Sequence, residues 1–370
     1  MSRQRRNRII ISGGGTGGHV FPAISIANAI RKIDPEIDIL FVGAEGKIEM
    51  EKIPAAGYDI VGLPVAGFDR KNPFKNIPVL IKLIKSLRLA KRIVRDFKPD
   101  VVVGVGGYAS GPVLRQAGKQ KIPVLIQEQN SYAGVTNKLL AKTASVICVA
   151  YEGMEKYFPA EKIMRTGNPV RQSFDNLTDL RKEALNFFNL KDNLPVVLVL
   201  GGSGGAGSIN ISLSENLQQV ITSGCQWIWQ TGKFYFEDVN ALVSVSSAEN
   251  IKVHAFINRM DYAFAAAEVI ITRAGAGTIS ELCLVGKPVI LVPSPNVAED
   301  HQTKNALALS DRNAAILLPD NMALENLVSQ AVSLISDTEK RNSLSENIIK
   351  MADREADKKI AEEVMKLIKL

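Results

Sequence analysis

One pattern occurs twice in the chain: a short apolar strand, a run of glycines and then a helix. The first copy is Arg8–Ser12 followed by Gly13–Gly18, and a helical pattern runs from about Pro22 to Ile33. The second copy is Pro195–Leu200 followed by Gly201–Gly207 and another helix. Each copy is typical of the first unit of a parallel sheet covered by helices. Two copies within 370 residues indicate two domains.

Short runs rich in β-branched residues predict the other strands. In the first half these runs are Ile37–Gly43, Val101–Val105, Val124–Gln127 and Val146–Val149. In the second half they are Gln226–Gln230, Ile251–His254, Val269–Thr272 and Pro288–Val292. Because these strands alternate with helical patterns, we predict an α/β protein with two Rossmann-like, doubly wound parallel-sheet lobes.

The domain boundary is predicted near Gly167–Arg171, where a turn sequence precedes a polar helix around Asp179–Phe188. We therefore assign 1–168 to an N-terminal lobe and 169–345 to a C-terminal lobe. One long, charged, amphipathic helix is predicted from about Asp337 to Leu370. Its last part, 346–370, is expected to pack back on the N-terminal lobe.

Composition excludes several classes of protein. Hydrophobic residues make up 46% of the chain and charged residues 22%, which is an ordinary balance for a protein with a large core. No apolar run is long enough for a membrane-spanning helix, and the apolar run after Arg8 is too short for a signal peptide. The three cysteines are widely separated, so we expect free thiols in a reducing compartment and no metal site.

The net charge of +7 is concentrated in one segment. Residues 69–98 contain ten Lys or Arg and two Asp, a net charge of +8, so the remaining chain is close to neutral. Between 74 and 97 the pattern is amphipathic, with Leu80, Leu83 or Ile84, Leu87, Val94 and Phe97 predicted to face the core. The predicted membrane-facing set lies off that stripe and consists of Phe74, Lys75, Ile77, Ile81, Lys82 and Lys85. A solvated basic helix is the alternative. We expect no nucleic-acid binding, because no aromatic residues are interleaved with the charges.

The glycine loops are candidate phosphate sites. Gly13–Gly18 satisfies the pattern G-x-G-x-x-G between a strand and a helix, where backbone N–H groups can approach a diphosphate. An NAD site would also need an acid at the end of the second strand, and Glu45 lies late for that role. A tight turn without a ligand is the other alternative. The loop Gly201–Gly207 lacks the lysine of a triphosphatase P-loop.

A third loop of this kind, Thr272–Glu281, also joins a strand to a helix. Its backbone N–H groups with Thr278 or Ser280 are suited to a nucleotide diphosphate, and Glu281 to a ribose diol. Glu281 alternatively complements the helix dipole. Two lobes that face a central cleft would place a diphosphate loop on each wall, which suits two diphosphate-bearing substrates better than one dinucleotide.

Seven segments, in order along both lobes, resemble the MurG family of bacterial N-acetylglucosaminyltransferases. They are Gly14–Pro22, Gly106–Pro112, Glu128–Asn137, Thr166–Arg171, Gly201–Ser203, Arg273–Glu281 and Asp300–Gln302 with Asn305-Ala306. Gly204 stands where the family pattern leads us to expect a bulkier polar residue. The loop 294–300 is a segment whose length and composition are expected to vary within the family. These departures concern the detailed geometry of the donor loops.

The resemblance implies a GT-B glycosyltransferase fold and an inverting transfer from UDP-N-acetylglucosamine (UDP-GlcNAc). The acceptor would be the 4-hydroxyl of the muramyl sugar in undecaprenyl-diphosphate-MurNAc-pentapeptide, lipid I, and the product lipid II of peptidoglycan. No cofactor is implied. The enzyme would lie on the cytoplasmic face of the bacterial inner membrane as a peripheral protein, against an anionic lipid surface.

The resemblance also implies site residues by matching positions. Donor contacts would come from Thr16, Gly17, Gly18, Asn130, Arg171, Ser203, Ile257, Ala276, Gly277, Thr278, Ile279, Ser280, Glu281 and Gln302. Within this set Glu281 would bind the ribose, and the backbone near Ile257 would contact the uracil. The acceptor side would include Gly14, Gly15, Gly107, Tyr108 and Ser110.

His19 is the candidate general base, because it follows the first glycine loop and imidazole titrates near neutral pH. Alternatively, it orders the loop without touching substrate. His301 is the weaker candidate, and His254 has no assigned role. The chain has no Asp-x-Asp sequence, so departure of UDP is expected to need no metal. Helix N-termini near Ser203 and Gly275–Ser280, helped by Arg171, would stabilise its charge.

Four rival functions remain at this point. A GT-B-fold sugar-nucleotide epimerase would share the nucleotide lobe, and another UDP-sugar glycosyltransferase would share the whole architecture. An NAD(P) oxidoreductase would leave the loops at Gly201 and Gly275 without a role. A non-catalytic, membrane-associated nucleotide-binding protein is the fourth. The segments Gly106–Pro112 and Glu128–Asn137 favour an enzyme with an acceptor.

Overall fold

The computed structural model describes residues 5–67, 77–170, 174, 177–297 and 300–369. The chain divides into two compact units, which are Met1–Val170 together with Asp353–Leu370, and Arg171–Ala352. The final helix therefore belongs to the first unit. In the described ranges, no helix combines the length and the apolar character that crossing a bilayer requires.

The first unit contains a seven-stranded parallel sheet with the order β3-β2-β1-β4-β5-β6-β7. Its strands are β1 (Arg8–Ser12), β2 (Asp38–Ala44), β3 (Asp59–Leu63), β4 (Val101–Gly104), β5 (Val124–Glu128), β6 (Val146–Val149) and β7 (Ile163–Arg165). The helices between them are α1 (Gly17–Ile33), α2 (Glu49–Ala55), α3 (Ile77–Phe97), α4 (Ser110–Lys119) and α5 (Val135–Leu140).

The second unit contains a six-stranded parallel sheet with the order β10-β9-β8-β11-β12-β13. Its strands are β8 (Val196–Leu200), β9 (Gln226–Gln230), β10 (Ile251–His254), β11 (Val269–Thr272), β12 (Val289–Leu291) and β13 (Ile316–Leu317). Its helices are α6 (Leu177–Phe187), α7 (Gly207–Glu215), α8 (Leu217–Thr222), α9 (Phe236–Val245), α10 (Met260–Ala266), α11 (Ala276–Val285), α12 (His301–Ser310), α13 (Ala323–Ser336) and α14 (Thr338–Ile349). The helix α15 (Ala356–Ile368) follows in the first unit.

Strand β1 shows why these apolar runs become central strands. Ile9, Ile10 and Ile11 are all fully buried, although successive side chains of a strand point to opposite faces. Ile9 and Ile11 pack in one cluster with residues of α1 and α15, and Ile10 packs in another with residues of α3 and α4. A strand covered by helices on both faces needs apolar residues at every position, as the sequence of β1 has.

The predicted fold class is confirmed by the two parallel sheets. The three strands β3, β7 and β13 were missed. They lie at sheet edges and most of their residues are only half-buried, so they lack the long apolar run of a central strand. Helix α1 begins at Gly17, earlier than the pattern at Pro22 predicts, because glycines at the turn are already helical.

The prediction of one helix from Asp337 to Leu370 is wrong. The chain forms α14 and α15 with a break between them, and Glu355 has a left-handed backbone with φ of 59°. A residue in that conformation interrupts the helical hydrogen bonds. The break lets α15 leave the second unit and pack against α1.

The predicted core-facing stripe of α3 is wrong at its N-terminal end. Leu80 and Ile84 are each about half exposed, whereas Ser86, Ala90, Ile93 and Val94 are buried. The buried face therefore covers only the second half of α3. The first half keeps its apolar residues on the surface.

Candidate active site

Each sheet has a topological switch point next to its first strand. The strand order reverses between β1 and β4 in the first unit, and between β8 and β11 in the second. Ligands of open parallel sheets bind beyond the carboxyl ends of the strands at such a switch point. The loops after β1, β4, β8 and β11 are the predicted glycine-rich or acceptor-side segments, so each unit has its candidate site at the expected edge.

At the switch point of the first unit, the two glycine loops touch backbone to backbone. Gly107 has a φ of 85°, and a Cβ atom built on it would lie 2.3 Å from the carbonyl oxygen of Gly14. Only glycine permits that approach. The pairing brings the predicted acceptor-side residues Gly14, Gly15 and Gly107 together.

A buried glutamate that the sequence analysis missed shapes the first loop. Glu49 opens α2 and is 1% exposed. Its two carboxylate oxygens accept the N–H of Gly15 at 2.9 Å, and Oε1 also accepts the N–H of Ala44 at 2.9 Å. A Cβ at Gly14 would lie 2.0 Å from Oε1. Glu49 thus connects the ends of β1 and β2. The sequence analysis missed it because an acid in the first turn of a helix is usually a surface residue that complements the helix dipole.

His19 lies in the first turn of α1, directly after the loop Gly13–Gly18. Its Nδ1 is 3.3 Å from Oγ1 of Thr16, the residue that caps the helix. The other side of the ring lies against the second loop, because a Cβ on Gly106 would be 3.0 Å from Nε2. The imidazole is half-buried, whereas Thr16 and Gly18 are exposed. Thr16, Gly17, Gly18 and His19 therefore form one edge of the switch point.

The loop after β4 contributes an exposed ring and a buried hydroxyl. Tyr108 is more than half exposed, and its ring covers Gly67, where a Cβ would lie 2.9 Å from the phenolic oxygen. Ser110 is fully buried, and its hydroxyl donates to the carbonyl of Gly107 at 2.9 Å. The structure therefore gives Ser110 a role in closing the turn, and leaves Tyr108 accessible.

Glu128, the last residue of β5, organises the loop that follows it. One carboxylate oxygen accepts the N–H (3.1 Å) and the side-chain amide (3.2 Å) of Asn130. The other accepts the N–H of Gly134 at 2.9 Å and the amide of Asn137 at 2.8 Å. Burial raises the pKa of Glu128, and these donors oppose the increase. Glu128 thus holds Asn130, which was predicted to bind the sugar-nucleotide donor. The sequence analysis included Glu128 in the segment Glu128–Asn137 but assigned it no role.

Three amide side chains behind this loop extend the network to Asn168. Gln127 donates to Oδ1 of Asn168 at 2.9 Å, and Asn168 donates to the carbonyl of Gln129 at 2.9 Å. Gln129 in turn donates to the carbonyl of Val105, after β4, at 2.7 Å. All three side chains are buried. Asn168 therefore supports the loops after β4 and β5.

In the second unit, the loop Gly201–Gly207 packs against the turn after β9. Gly232 has a φ of 79°, and a Cβ on it would lie 2.1 Å from the nitrogen of Gly205. Ser203 is exposed, and its carbonyl accepts the N–H of Lys233 at 3.1 Å. The ring of Phe234 lies beside Gly204, where the family pattern suggests a bulkier residue. Ser203 is therefore accessible in a loop of defined shape.

The third loop begins α11 as predicted. Gly275 caps the helix with an extended backbone, and the carbonyl of Gly275 accepts the N–H of Ile279 at 2.9 Å. Ile279 is buried, and the hydroxyl of Ser280 donates to the carbonyl of Ala276 at 3.0 Å. Gly277 faces open space. Ala276, Gly277, Thr278, Ile279, Ser280 and Glu281 thus form the first two turns of one helix.

Two further residues that were predicted to bind the sugar-nucleotide donor adjoin this region. Ile257 is buried, and its N–H donates to Oε1 of Gln230, at the end of β9, at 2.9 Å. Gln302 lies in the first turn of α12, and its Oε1 accepts the N–H of Ser294 at 2.9 Å. In the same helix, the buried Asn305 donates to the carbonyl of Ala274 at 3.3 Å. Side-chain amides therefore connect the end of β9 with the loop after β10, and helix α12 with the loops after β11 and β12.

Arg273 lies at the start of the third loop, and the sequence alone did not identify the partners of its guanidinium. Its guanidinium contacts residues that follow β12 and β13, and the hydroxyl of Ser208 in α7. These contacts join positions far apart in the chain, so no local pattern signals them.

Other reactive side chains lie away from these loops. The three cysteines are buried, and burial raises the pKa of Cys148 to about 12. The Cys148 thiol is therefore not available as a thiolate nucleophile at neutral pH. Burial also lowers the pKa of His254. Within the described part of the chain, no three His, Cys, Asp or Glu side chains are grouped so that they could hold a metal ion.

Three predicted site residues, Arg171, Phe74 and Lys75, lie outside the described residues. Ile77, Ile81, Lys82 and Lys85 lie in the first half of α3 and are all exposed.

Two family models match this architecture one unit at a time. The N-terminal domain of glycosyltransferase family 28 matches residues 9–149, and the C-terminal domain of the same family matches residues 196–364. The chain belongs to glycosyltransferase family 28. The predicted resemblance to a glycosyltransferase family and the predicted GT-B fold are thereby confirmed.

Full-length relatives agree with the family match. A protein of Parabacteroides distasonis is 57% identical over 98% of this chain and 99% of its own length. It is named UDP-N-acetylglucosamine--N-acetylmuramyl-(pentapeptide) pyrophosphoryl-undecaprenol N-acetylglucosamine transferase. The crystal structure of MurG from Acinetobacter baumannii is similar with a TM-score of 0.78 at 27% identity, covering 97% of this chain and 99% of that one.

A rival family shares the architecture. The UDP-GlcNAc 2-epimerase of Neisseria meningitidis has a TM-score of 0.68 at 16% identity, covering 98% of this chain and all of that one. This likeness shows a common fold alone, so the fold does not separate transferase from epimerase. The family match and the sequence identity of the transferase relatives make that separation.

Proposed function

We propose that this chain transfers N-acetylglucosamine from UDP-GlcNAc to the 4-hydroxyl of the muramyl sugar of undecaprenyl-diphosphate-MurNAc-pentapeptide, giving lipid II and UDP. The observation that carries the proposal is the near-complete coverage of a relative at 57% identity whose name describes this transfer. An N-acetylglucosaminyltransferase is also what the family 28 domains support.

The donor is proposed to bind the second unit at its switch point. Helices α7 and α11 begin there, and their glycine-rich N-termini carry no acidic side chain in the first turn. Helix N-termini with accessible backbone N–H groups are suited to a diphosphate. Glu281 is proposed to accept from the ribose hydroxyls, and the backbone near the buried Ile257 to contact the uracil.

The acceptor is proposed to bind the first unit beside Tyr108 and the paired loops at Gly14 and Gly107. His19 is the proposed general base that removes the proton from the attacking hydroxyl, and the configuration at the sugar carbon inverts. Its support is the position of the imidazole between Thr16 and Gly106. The donor contacts assigned to Thr16, Gly17, Gly18 and Asn130 stay predictions.

An assay with both substrates tests this function. Incubation with UDP-GlcNAc and a lipid I analogue is expected to release UDP and form a β-linked disaccharide in equal amounts. An epimerase would instead convert UDP-GlcNAc without acceptor, and an oxidoreductase would change the absorbance of NAD(P)H. Consumption of UDP-GlcNAc without acceptor, or absence of disaccharide, would contradict the proposal.

The same assay tests whether the reaction needs a metal ion. We propose that UDP leaves without a metal ion, since the N-termini of α7 and α11, at Gly207 and Ala276, are available to stabilise its charge. Treatment with EDTA is expected to leave turnover unchanged. Loss of activity that only a divalent ion restores would overturn metal independence and leave the transfer reaction itself standing.

The first half of α3 is proposed to contact an anionic inner-membrane surface on the cytoplasmic side. Ile77, Leu80, Ile81 and Ile84 are 49–59% exposed and recur at helical spacing along one face. Lys82 and Lys85 lie beside them and are exposed. Exposed apolar residues flanked by lysines are typical of helices that lie in a bilayer interface.

Neighbouring helices strengthen this charge pattern. Helix α4 packs between α3 and α5 in the first unit. Neither α4 nor α5 has an acidic residue, and α3 has one, Asp96, in its last turn. Leu139 of α5 is 77% exposed. The helices on this face of the sheet thus combine exposed apolar residues with an almost entirely positive charge, which favours anionic lipid.

Vesicle binding tests the membrane surface. The double variant Lys82→Glu/Lys85→Glu is expected to bind anionic vesicles at least about tenfold more weakly, because each lysine near such a surface contributes about 1 kcal/mol. Ile81→Glu should also weaken binding. The control is Val245→Glu, at a residue 88% exposed in the second unit, which should bind like wild type. Equal binding by all variants would refute this surface.

A further inference from the structure

Arg273, the first residue after β11, is in contact with three other segments of the second unit. Its Nη1 donates to the carbonyls of Val292 (2.9 Å) and Pro293 (3.2 Å), which follow β12. The same nitrogen donates to a carboxylate oxygen of Asp320, beyond β13. Its Nη2 donates to the hydroxyl of Ser208 at 3.0 Å. Ser208 is the second residue of α7, and its hydroxyl donates to the same oxygen of Asp320.

These contacts connect the carboxyl ends of neighbouring strands. In the order β8-β11-β12-β13, Ser208 follows β8, Arg273 follows β11, Val292 follows β12 and Asp320 follows β13. One guanidinium and one carboxylate therefore join all four segments. A planar guanidinium with five N–H groups is the side chain best able to do so.

The charge of Arg273 is already matched within the protein. The Arg273 and Asp320 side chains are only 19% and 24% exposed. A phosphate-binding arginine would instead present its guanidinium to solvent or ligand and find its counter-charge there. The contacts of Arg273 are protein carbonyls, a serine hydroxyl and a carboxylate, so its geometry differs from that of a phosphate ligand.

We propose that Arg273 and Asp320 are positioning residues that set the N-terminus of α7 relative to that of α11. The inference rests on the proposed donor site, in which one UDP contacts both helices. Arg273 directly precedes the turn that begins α11, and Ser208 lies in the first turn of α7. Binding a diphosphate by two helix N-termini requires a defined spacing between them, which the Arg273–Asp320–Ser208 contacts provide.

The rival assignment, in which Arg273 itself binds a phosphate, makes the opposite prediction for Asp320. If Arg273 is a phosphate ligand, Asp320→Asn removes a competing carboxylate, and UDP binding stays the same or becomes tighter. If the ion pair positions the helices, Asp320→Asn weakens UDP binding, even though the substitution removes a negative charge near a negative ligand. The sign of this effect therefore separates the two assignments.

Calorimetric titration of the full chain with UDP is the decisive measurement. We expect Asp320→Asn and Ser208→Ala to raise the Kd for UDP, with about a tenfold effect for Asp320→Asn, as for loss of a charged hydrogen bond. Arg273→Met should add little in the Asp320→Asn background, because the two residues act together. In turnover assays, the KM for UDP-GlcNAc should rise while the KM for the acceptor does not.

Glu268→Gln is the matched control. Glu268 pairs with Arg181 at 2.5 Å, with side chains 25% and 30% exposed, in the same unit. Because Glu268 precedes β11, this pair lies at the amino ends of the strands. Its loss should lower the melting temperature without changing the Kd for UDP. Weaker UDP binding in Glu268→Gln, or unchanged or tighter binding in Asp320→Asn, would overturn the inference. Failure of the wild type to bind UDP would instead refute the proposed donor site.

Discussion

Replacing His19 with alanine is expected to lower kcat by about 10²- to 10⁴-fold, the usual contribution of a general base. The Kd for UDP should stay close to that of wild type, because the proposed uridine and diphosphate contacts lie in the second unit. Turnover with a lipid I analogue and calorimetric titration with UDP measure the two quantities. The physical reason is that the attacking hydroxyl keeps its proton until a positioned base removes it.

His301→Ala is the control for this variant, since His301 is the other histidine in a family motif. It should change kcat much less than His19→Ala does. Thr16→Val provides a graded test, because Oγ1 of Thr16 lies 3.3 Å from Nδ1 of His19 and helps to orient the ring. A kcat for His19→Ala within a few fold of wild type would remove His19 from the role of base.

The substitution Glu128→Gln is expected to lower the free energy of unfolding by about 3 kcal/mol, since two buried N–H donors would face an amide NH₂ group. The affected donors belong either to Asn130 or to Gly134 and Asn137. In either orientation the loop that carries Asn130 would lose part of its anchor, so the KM for UDP-GlcNAc should rise as well. Chemical denaturation and steady-state kinetics measure the two effects.

Glu152→Gln is the control for Glu128→Gln. Glu152 belongs to the same unit and pairs with Arg165, but its side chain is 62% exposed. Exposed ion pairs contribute about 0–1 kcal/mol, so its loss should scarcely change stability or KM. Equal stability of Glu128→Gln and Glu152→Gln would mean that the buried carboxylate does not organise the loop.

The central strands and glycine loops were predictable because their signals are local. A strand such as β1, buried on both faces, must be apolar at every position, and that run is visible in the sequence. A glycine loop between a strand and a helix is equally visible. Short edge strands such as β13 were missed, because an apolar pattern of two half-buried residues cannot be distinguished from that of a loop.

Helix α3 shows where periodicity alone is insufficient. Its apolar residues recur at helical spacing, and the sequence analysis assigned Leu80, and Leu83 or Ile84, to the core. Periodicity identifies an apolar face, but whether a neighbouring element covers that face depends on packing. In the structure the second half of the helix is covered, and the first half is exposed.

The α/β class, the two Rossmann-like lobes, the family and the positions of the glycine loops were all predictable from the sequence, because each depends on residues close together in the chain. The side chains that hold those loops in place were found in the folded structure. Glu49 meets Gly15 across 34 residues, and Asp320 meets Ser208 across 112. Such contacts leave no local pattern, because each carboxylate finds its N–H or O–H donors only after the parallel strands have aligned their carboxyl ends.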